Sequence, residues 1–126
     1  MIGHRICAVS LTAIAASLVL PPPSMAANSD GSWSMVAVTT RGHCGTIDIG
    51  LGVRRGRLHS TGGFFAFYPI TISGRVAGGG HVRMTAIAGP RTAHGTGRFG
   101  PSQGSGTWKG RGPSGLCSGI WRASRS

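Results

Sequence analysis

The sequence predicts an all-β domain, a small antiparallel meander barrel of about eight short strands, behind a leader that is cleaved. Three observations predict it. Beyond the first 26 residues, apolar side chains alternate with polar ones at period two, the spacing of a strand with one buried face. Glycine, 23 of the 126 residues, punctuates those runs at intervals that suit turns. Two cysteines, Cys44 and Cys117, stand near the two ends of the alternating region. A two-layer β-sandwich is the rival architecture for the same strand count.

The leader comes first. His4 and Arg5 open onto an apolar run over 6–20, which Pro21-Pro22-Pro23 breaks before Ser24-Met25-Ala26, a small-x-small cleavage site. A transmembrane helix needs roughly 20 apolar residues, so the alternative, an uncleaved anchor, fits less well than a signal peptide over 1–26. Cys7 stands at the start of the apolar run and not at its end, the wrong place for lipoprotein processing. Cleavage leaves one domain, 27–126, bound for the periplasm or the exterior, with no stable membrane insertion thereafter.

Within that domain, 32–39 reads as the first strand. Residues 46–53 carry the cleanest alternation, Ile47, Ile49, Leu51 and Val53 against Thr46, Asp48, Gly50 and Gly52. Arg54-Arg55-Gly56 is a turn and 57–61 the return strand. Residues 62–69 interrupt the rhythm with Phe64, Phe65, Phe67 and Tyr68 before Pro69. Such a segment is an exposed apolar plug for a partner, or a lid or strand folded back on the core. Residues 70–76 and 81–88 form a pair around the Gly78-Gly79-Gly80 turn. Residues 91–99 and 105–111 form another around 100–104, and 116–123 is the last strand. Gly-x-Trp recurs at 31–33, 106–108 and 119–121. Small barrels alternate small and large inward residues, which assigns Trp33, Trp108 and Trp121 to the core.

After Cys7 leaves with the leader, Cys44 and Cys117 are an even pair in an oxidising compartment, and a disulfide is the economical reading. Two free thiols or a metal pair are the alternatives, and no CxxC or Cys-His cluster at zinc spacing favours them. The separation of 73 residues makes the chain-entropy gain about 4 kcal/mol. Cys44 follows the first strand and Cys117 begins the last, strands that a closed barrel makes neighbours. The bond would therefore staple the seam of a glycine-weakened sheet.

Composition narrows the chemistry. Without Arg5, 12 Lys+Arg face two acids, Asp30 and Asp48, for a net charge of +10. A domain so basic adsorbs to polyanions: nucleic acid, lipopolysaccharide, acidic polysaccharide. With the core residues inward, alternation turns Arg75, Arg83, Arg98, Lys109, Arg111 and Arg122 outward as a belt on five consecutive strands. That belt is either an anion-binding surface or a solubilising face. Enzyme chemistry has little to work with. Asp30 falls in a mobile terminus and Asp48 on a polar strand face, with no second acid near either. His43, His59, His81 and His94 are scattered, and there is no Gly-x-Ser-x-Gly elbow and no HExxH. No catalytic residue and no metal site is assigned. Covalent haem would need CxxCH, which is absent. Non-covalent ligation by a His, Tyr68 or a Met stays open beside the ordinary reading of solvated strand residues.

Asp30-Gly31-Ser32-Trp33, Cys44, Ile72-Ser73-Gly74-Arg75-Val76, Gly104-Ser105-Gly106-Thr107-Trp108 and Cys117-Ser118-Gly119-x-Trp121 together resemble a group of small exported bacterial proteins. These are often labelled heme-utilization or adhesion-related exoproteins. The resemblance implies haem use or surface adhesion, and its Gly, Trp and Cys motifs are structural, so no residue role is carried over. A looser similarity is to secreted inhibitors of bacterial metalloproteases, barrels of this size that place an N-terminal segment in the protease cleft; here 27–30 would serve. The expectation is a non-enzymatic exported binding or adhesion-type accessory protein with an anionic polymer, envelope component or protein as partner; a periplasmic protease inhibitor is the alternative.

Overall fold

The computed structural model describes residues 29–126, so the leader over 1–26 lies outside the described residues. The strands are β1 (Gly31–Arg41), β2 (Thr46–Arg54), β3 (Arg57–Gly62), β4 (Phe64–Phe65), β5 (Tyr68–Pro69), β6 (Thr71–Val76), β7 (His81–Ala88), β8 (Arg91–Phe99), β9 (Gln103–Gly112) and β10 (Gly115–Arg125). Eight of them close an antiparallel barrel in the order β1-β10-β9-β8-β7-β6-β3-β2, while β4 and β5 make a separate two-stranded hairpin. The barrel, not the sandwich, is the architecture. The period-two pattern located every barrel strand, and ladder pairing extends β1, β9 and β10 a few residues past where their apolar alternation stops.

The seam is the antiparallel pairing of β1 with β10, running from Trp33↔Arg125 to Arg41↔Ser118 with one irregularity between Thr39 and Arg41. Cys44, in the β1–β2 loop, bonds Cys117 of β10, with their Cα atoms 6.2 Å apart. Sulfur thus ties the loop that follows the first strand to the last strand, across the seam that their places in the sequence implied.

The two ends of the barrel are filled differently. At the end where the chain enters, large residues point inward. Trp33, Trp121, Phe99, Leu51 and Val82 are fully buried. The Phe99 ring lies 4.7 Å from Trp33 and 5.6 Å from Trp121, both tilted, in the range where aromatic pairs attract. Trp121 fits because glycine lies beneath it. A Cβ on Gly97 or Gly106 would run into its indole, at 2.5 and 2.6 Å. Its indole N–H donates to the Thr96 carbonyl at 3.1 Å, so the ring buries its area and keeps its polar atom satisfied. We call this the closed end.

Asp30, expected in a mobile terminus, is part of that closure. Its carboxylate accepts the backbone N–H of Arg55 at 2.8 Å and of Gly56 at 3.3 Å. The Trp33 indole N–H donates to the Ser29 carbonyl at 2.7 Å. Arg125 caps the bundle, its guanidinium 4.7 Å over the Trp33 ring and donating to the Asp30 carbonyl at 2.6 Å. A carboxylate that can satisfy two turn N–H groups is held where sequence position alone suggested freedom.

At the opposite end the inward positions carry small residues, among them Ala37, Ala86, Ala93, Gly95 and Gly110, and space is left over. Trp108, assigned to the core with the other two indoles, is only half-buried there. Its N–H donates to the Ile120 carbonyl at 3.2 Å. Its inward direction was legible; the lack of large neighbours to cover it was not. This is the open end.

Two stability outcomes follow. Replacing Cys44 and Cys117 together by serine should lower the unfolding free energy by about 4 kcal/mol, read from urea denaturation against the oxidised protein. Gly106→Ala should cost roughly 1–3 kcal/mol, because the new Cβ would press on the Thr96 backbone carbonyl and on the Trp121 indole together, as in overpacked cores; an unchanged midpoint would contradict the packing described.

Candidate functional site: a row of arginines and an apolar mouth

The barrel register, more than strand alternation, decides where the charges meet. The β2–β3 connection is a two-residue turn, Arg55 at φ 53° and Gly56 at φ 75°, the left-handed pair that a tight hairpin requires. Gly adopts that conformation freely, and Arg55 is held in it by the Asp30 contact. The turn sets Arg54 directly opposite Arg57. Arg57 in turn stands opposite Arg75, and Arg75 opposite Arg83. Four arginines therefore form one unbroken row across β2, β3, β6 and β7, all exposed. With strands about 4.8 Å apart the row spans roughly 14 Å. Directly opposed like charges destabilise a sheet, and no carboxylate is paired with this row among the described residues. The row is held against its own repulsion by the core beneath it, Val53, Leu58, Val76 and Val82, each buried on the inward side.

The other predicted cations fall elsewhere. Arg98 faces His81 across the β7–β8 ladder, with its guanidinium 3.2 Å from the His81 Nε2. Lys109 and Arg111 lie toward the open end, where they share a shallow hollow with Arg41, His94 and Leu116. Arg122 faces Ser105 of β9, which also faces Arg98, so Arg98 and Arg122 flank that serine in one line; on its other side Arg122 faces Val36. All six are exposed, as alternation required, but they do not form one belt. Arg75 and Arg83 belong to the row, Lys109 and Arg111 to the hollow. The belt fails because outward residues on adjacent strands become neighbours only in register, which the sequence pattern left unassigned. Arg54, Arg57 and Arg41 were missed for the same reason. The Arg54-Arg55-Gly56-Arg57 turn was a usable signal, since a two-residue hairpin puts its flanking residues face to face.

The second feature is the open end. An apolar cavity of about 100 Å³ lies in the barrel interior, walled by Met35, Ile49, Ile72, Met84, Ala86 and Trp108 among others. Its mouth is bordered by the β4–β5 hairpin, so the aromatic segment is indeed a short hairpin folded toward the core, but only in part. Phe65 turns toward the interior and packs against the core. Phe67 is 99% exposed and Phe64 70%. Ala66 and Phe67 make the turn at φ 49° and 72°, a left-handed conformation that side chains of this kind rarely adopt and that stores strain. The hairpin can reach the mouth because β3 and β6 pair only from Arg57↔Arg75 to His59↔Ser73; beyond that the chain leaves the barrel wall.

None of His59, His81 and His94 points into the barrel: each is an exposed strand residue between inward neighbours, and His43 lies in an exposed loop. No group of three or more metal-ligating side chains occurs among the described residues. Asp30 is engaged in the turn described above, and Asp48 lies exposed on β2 opposite Val36.

No family model matches the chain, and no curated protein does. Among solved structures the barrel is similar to EF1p2_mFAP2b bound to DFHBI, with a TM-score of 0.61 over 82% of this chain and 98% of that one at 12% identity. It is also similar to a redesigned beta barrel, b11L5F_LGL, with a TM-score of 0.56 over 82% and 96% at 13% identity. At such identity the likeness is one of fold: the closed eight-stranded antiparallel barrel.

The row makes a testable demand on stability. Arg75→Thr removes the charge with two like neighbours and supplies a good strand former. It should raise the unfolding free energy by about 0.5 kcal/mol or more at low salt. The part of the gain that comes from relieved repulsion should vanish in molar salt, where the Debye length is about 3 Å; thermal denaturation at two ionic strengths separates it from the strand preference of threonine.

Proposed function

We propose that this chain is a non-enzymatic binding protein of the exported, adhesion-type class, and that it holds an anionic polymer of the envelope or extracellular space on its outer face. The observation that carries the reading is the Arg54–Arg57–Arg75–Arg83 row. Four guanidiniums at strand spacing form a line of charge rather than a pocket, which suits a linear chain of acidic groups crossing the strands better than one compact anion. Guanidinium is also the cation best shaped for two-point contact with phosphate, sulfate or carboxylate. A bound polyanion would relieve the repulsion that the empty row carries, so binding and stabilisation are one effect. The Arg41–Lys109–Arg111 hollow offers a second point of attachment on the same polymer.

Export is supported by the Cys44–Cys117 disulfide, which persists in oxidising compartments. Among the described residues no helix is long and apolar enough to cross a membrane. The protease-inhibitor alternative draws less support, because Ser29 and Asp30, half of the proposed inserting segment, are bonded to the closed end.

Acidic polysaccharide, lipopolysaccharide and single-stranded DNA, titrated at several salt concentrations, test the proposal and name the polymer. The affinity should fall steeply with salt, with a logarithmic slope of about −3 to −4 if the four row residues each displace one counterion, by the rule of about −0.7 to −0.9 per contact. Arg57→Ser with Arg75→Ser and Arg83→Ser should flatten that slope by about 2 to 3. Removing the same number of charges off the row, Arg55→Asn with Arg98→Ser and Arg122→Ser, should change it by less than about 1. Equal losses from both variants would leave only diffuse charge.

A further inference from the structure

We propose that the open end of the barrel is a second, separate binding site, which takes the apolar end of a small anionic amphiphile and holds the acidic head at Arg91. The geometry starts with Arg91 itself. It begins β8 on the inward side, in the series Arg91, Ala93, Gly95, Gly97, Phe99, and is only half-exposed. An inward arginine is costly unless something meets its charge. Here its guanidinium lies 4.9 Å over the Phe65 ring at the mouth of the cavity, and it borders the cavity wall. No carboxylate or carbonyl among the described residues accepts its N–H groups. A stack on one aromatic face leaves all five donors of the fork free for an anion.

The space behind it sets the other half of the ligand. Met35, Ile49, Ile72, Met84, Ala86 and Trp108 present carbon and thioether surface with almost no polar atom. Water gains few hydrogen bonds against such a wall, so an apolar guest that displaces it loses little and buries carbon surface. A volume of about 100 Å³ is below the roughly 150 Å³ that accommodates a benzene ring. It takes the last few carbons of an alkyl chain, with the rest of the chain passing out through the mouth. A haem is far too large for it. The β4–β5 hairpin, strained at Ala66 and Phe67 and detached from the barrel ladder, is the element that moves to let the chain pass, and Phe65 is the ring that closes behind it. Strain of this kind is concentrated at ligand clamps.

The test uses three probes with one chain and different heads: octanoate, octanol and octylamine, each below its aggregation limit. Binding is read by quenching of Trp fluorescence and by the shift in melting temperature. Octanoate should bind, octanol about tenfold more weakly, and octylamine not measurably, the tenfold step corresponding to one charge-assisted contact. Ala86→Leu fills the cavity and should abolish octanoate binding while keeping or raising the melting temperature, which shows that the barrel is intact. Arg91→Gln should reduce octanoate affinity to that of octanol and leave octanol unchanged. The Arg57, Arg75, Arg83 triple serine variant should bind octanoate as before, so the fate of this site is independent of the polyanion row. Equal affinity for all three probes, or full octanoate binding by Ala86→Leu, would overturn the proposal. So would binding to anionic phospholipid vesicles with none to monomeric octanoate, since the mouth would then be a membrane contact and the interior unused.

Discussion

A sheet of eight strands closed on itself has an interior of fixed cross-section, and every inward side chain draws on the same space. That constraint governs this protein. Trp33, Phe99 and Trp121 occupy the closed end, and Trp121 does so only because Gly97 and Gly106 give up their side chains beneath it. Each large residue therefore has a small one as its condition. Glycine, which weakens an isolated strand through chain entropy, is here what allows the core to be dense. The disulfide at the other end offsets the entropy that composition costs, by restricting the unfolded chain.

The same rule, applied where small residues outnumber large ones, leaves a cavity. Ala37, Ala86, Ala93, Gly95 and Gly110 point inward at the open end, and Met35, Met84 and Trp108 among them do not fill the space they leave. The barrel is thus divided along its axis into an aromatic-packed half and a hollow half, which carries the mouth and is held by the disulfide. The closed end is further fixed by Asp30, Arg125 and the Ser29 carbonyl. The open end is bordered by a strained hairpin with two exposed phenylalanines. Rigidity and access are separated by roughly the length of a strand.

Outside the barrel the governing term is electrostatic. The net charge had to be spread over outward strand positions, and ladder register concentrated it at one place, the Arg54–Arg57–Arg75–Arg83 row. Such a row opposes both folding and edge-to-edge association. A solubilising role alone would be served as well by arginines out of register, where repulsion is weaker. The in-register row is the feature on which the proposed anion-binding reading rests.

The all-β class, the positions of the barrel strands, the inward direction of Trp33, Trp108 and Trp121, and the pairing of Cys44 with Cys117 were legible from residues alone. Alternation at period two reports which way each side chain points, whatever its neighbours turn out to be. What alternation does not report is which residues on different strands come to stand opposite one another. That is why the six cations are distributed over a row, a hollow and the Arg98–Arg122 pair that flanks Ser105, why Arg54 and Arg57 went unassigned, and why Trp108 was read as covered. Asp30 was misplaced for a related reason: the N–H groups it accepts from belong to a turn 25 residues on in the chain. Facing is a property of a strand and is written in its sequence. Register, the cavity and the meeting of like charges are properties of the closed sheet, and they exist only once closure fixes how far each strand slides against the next.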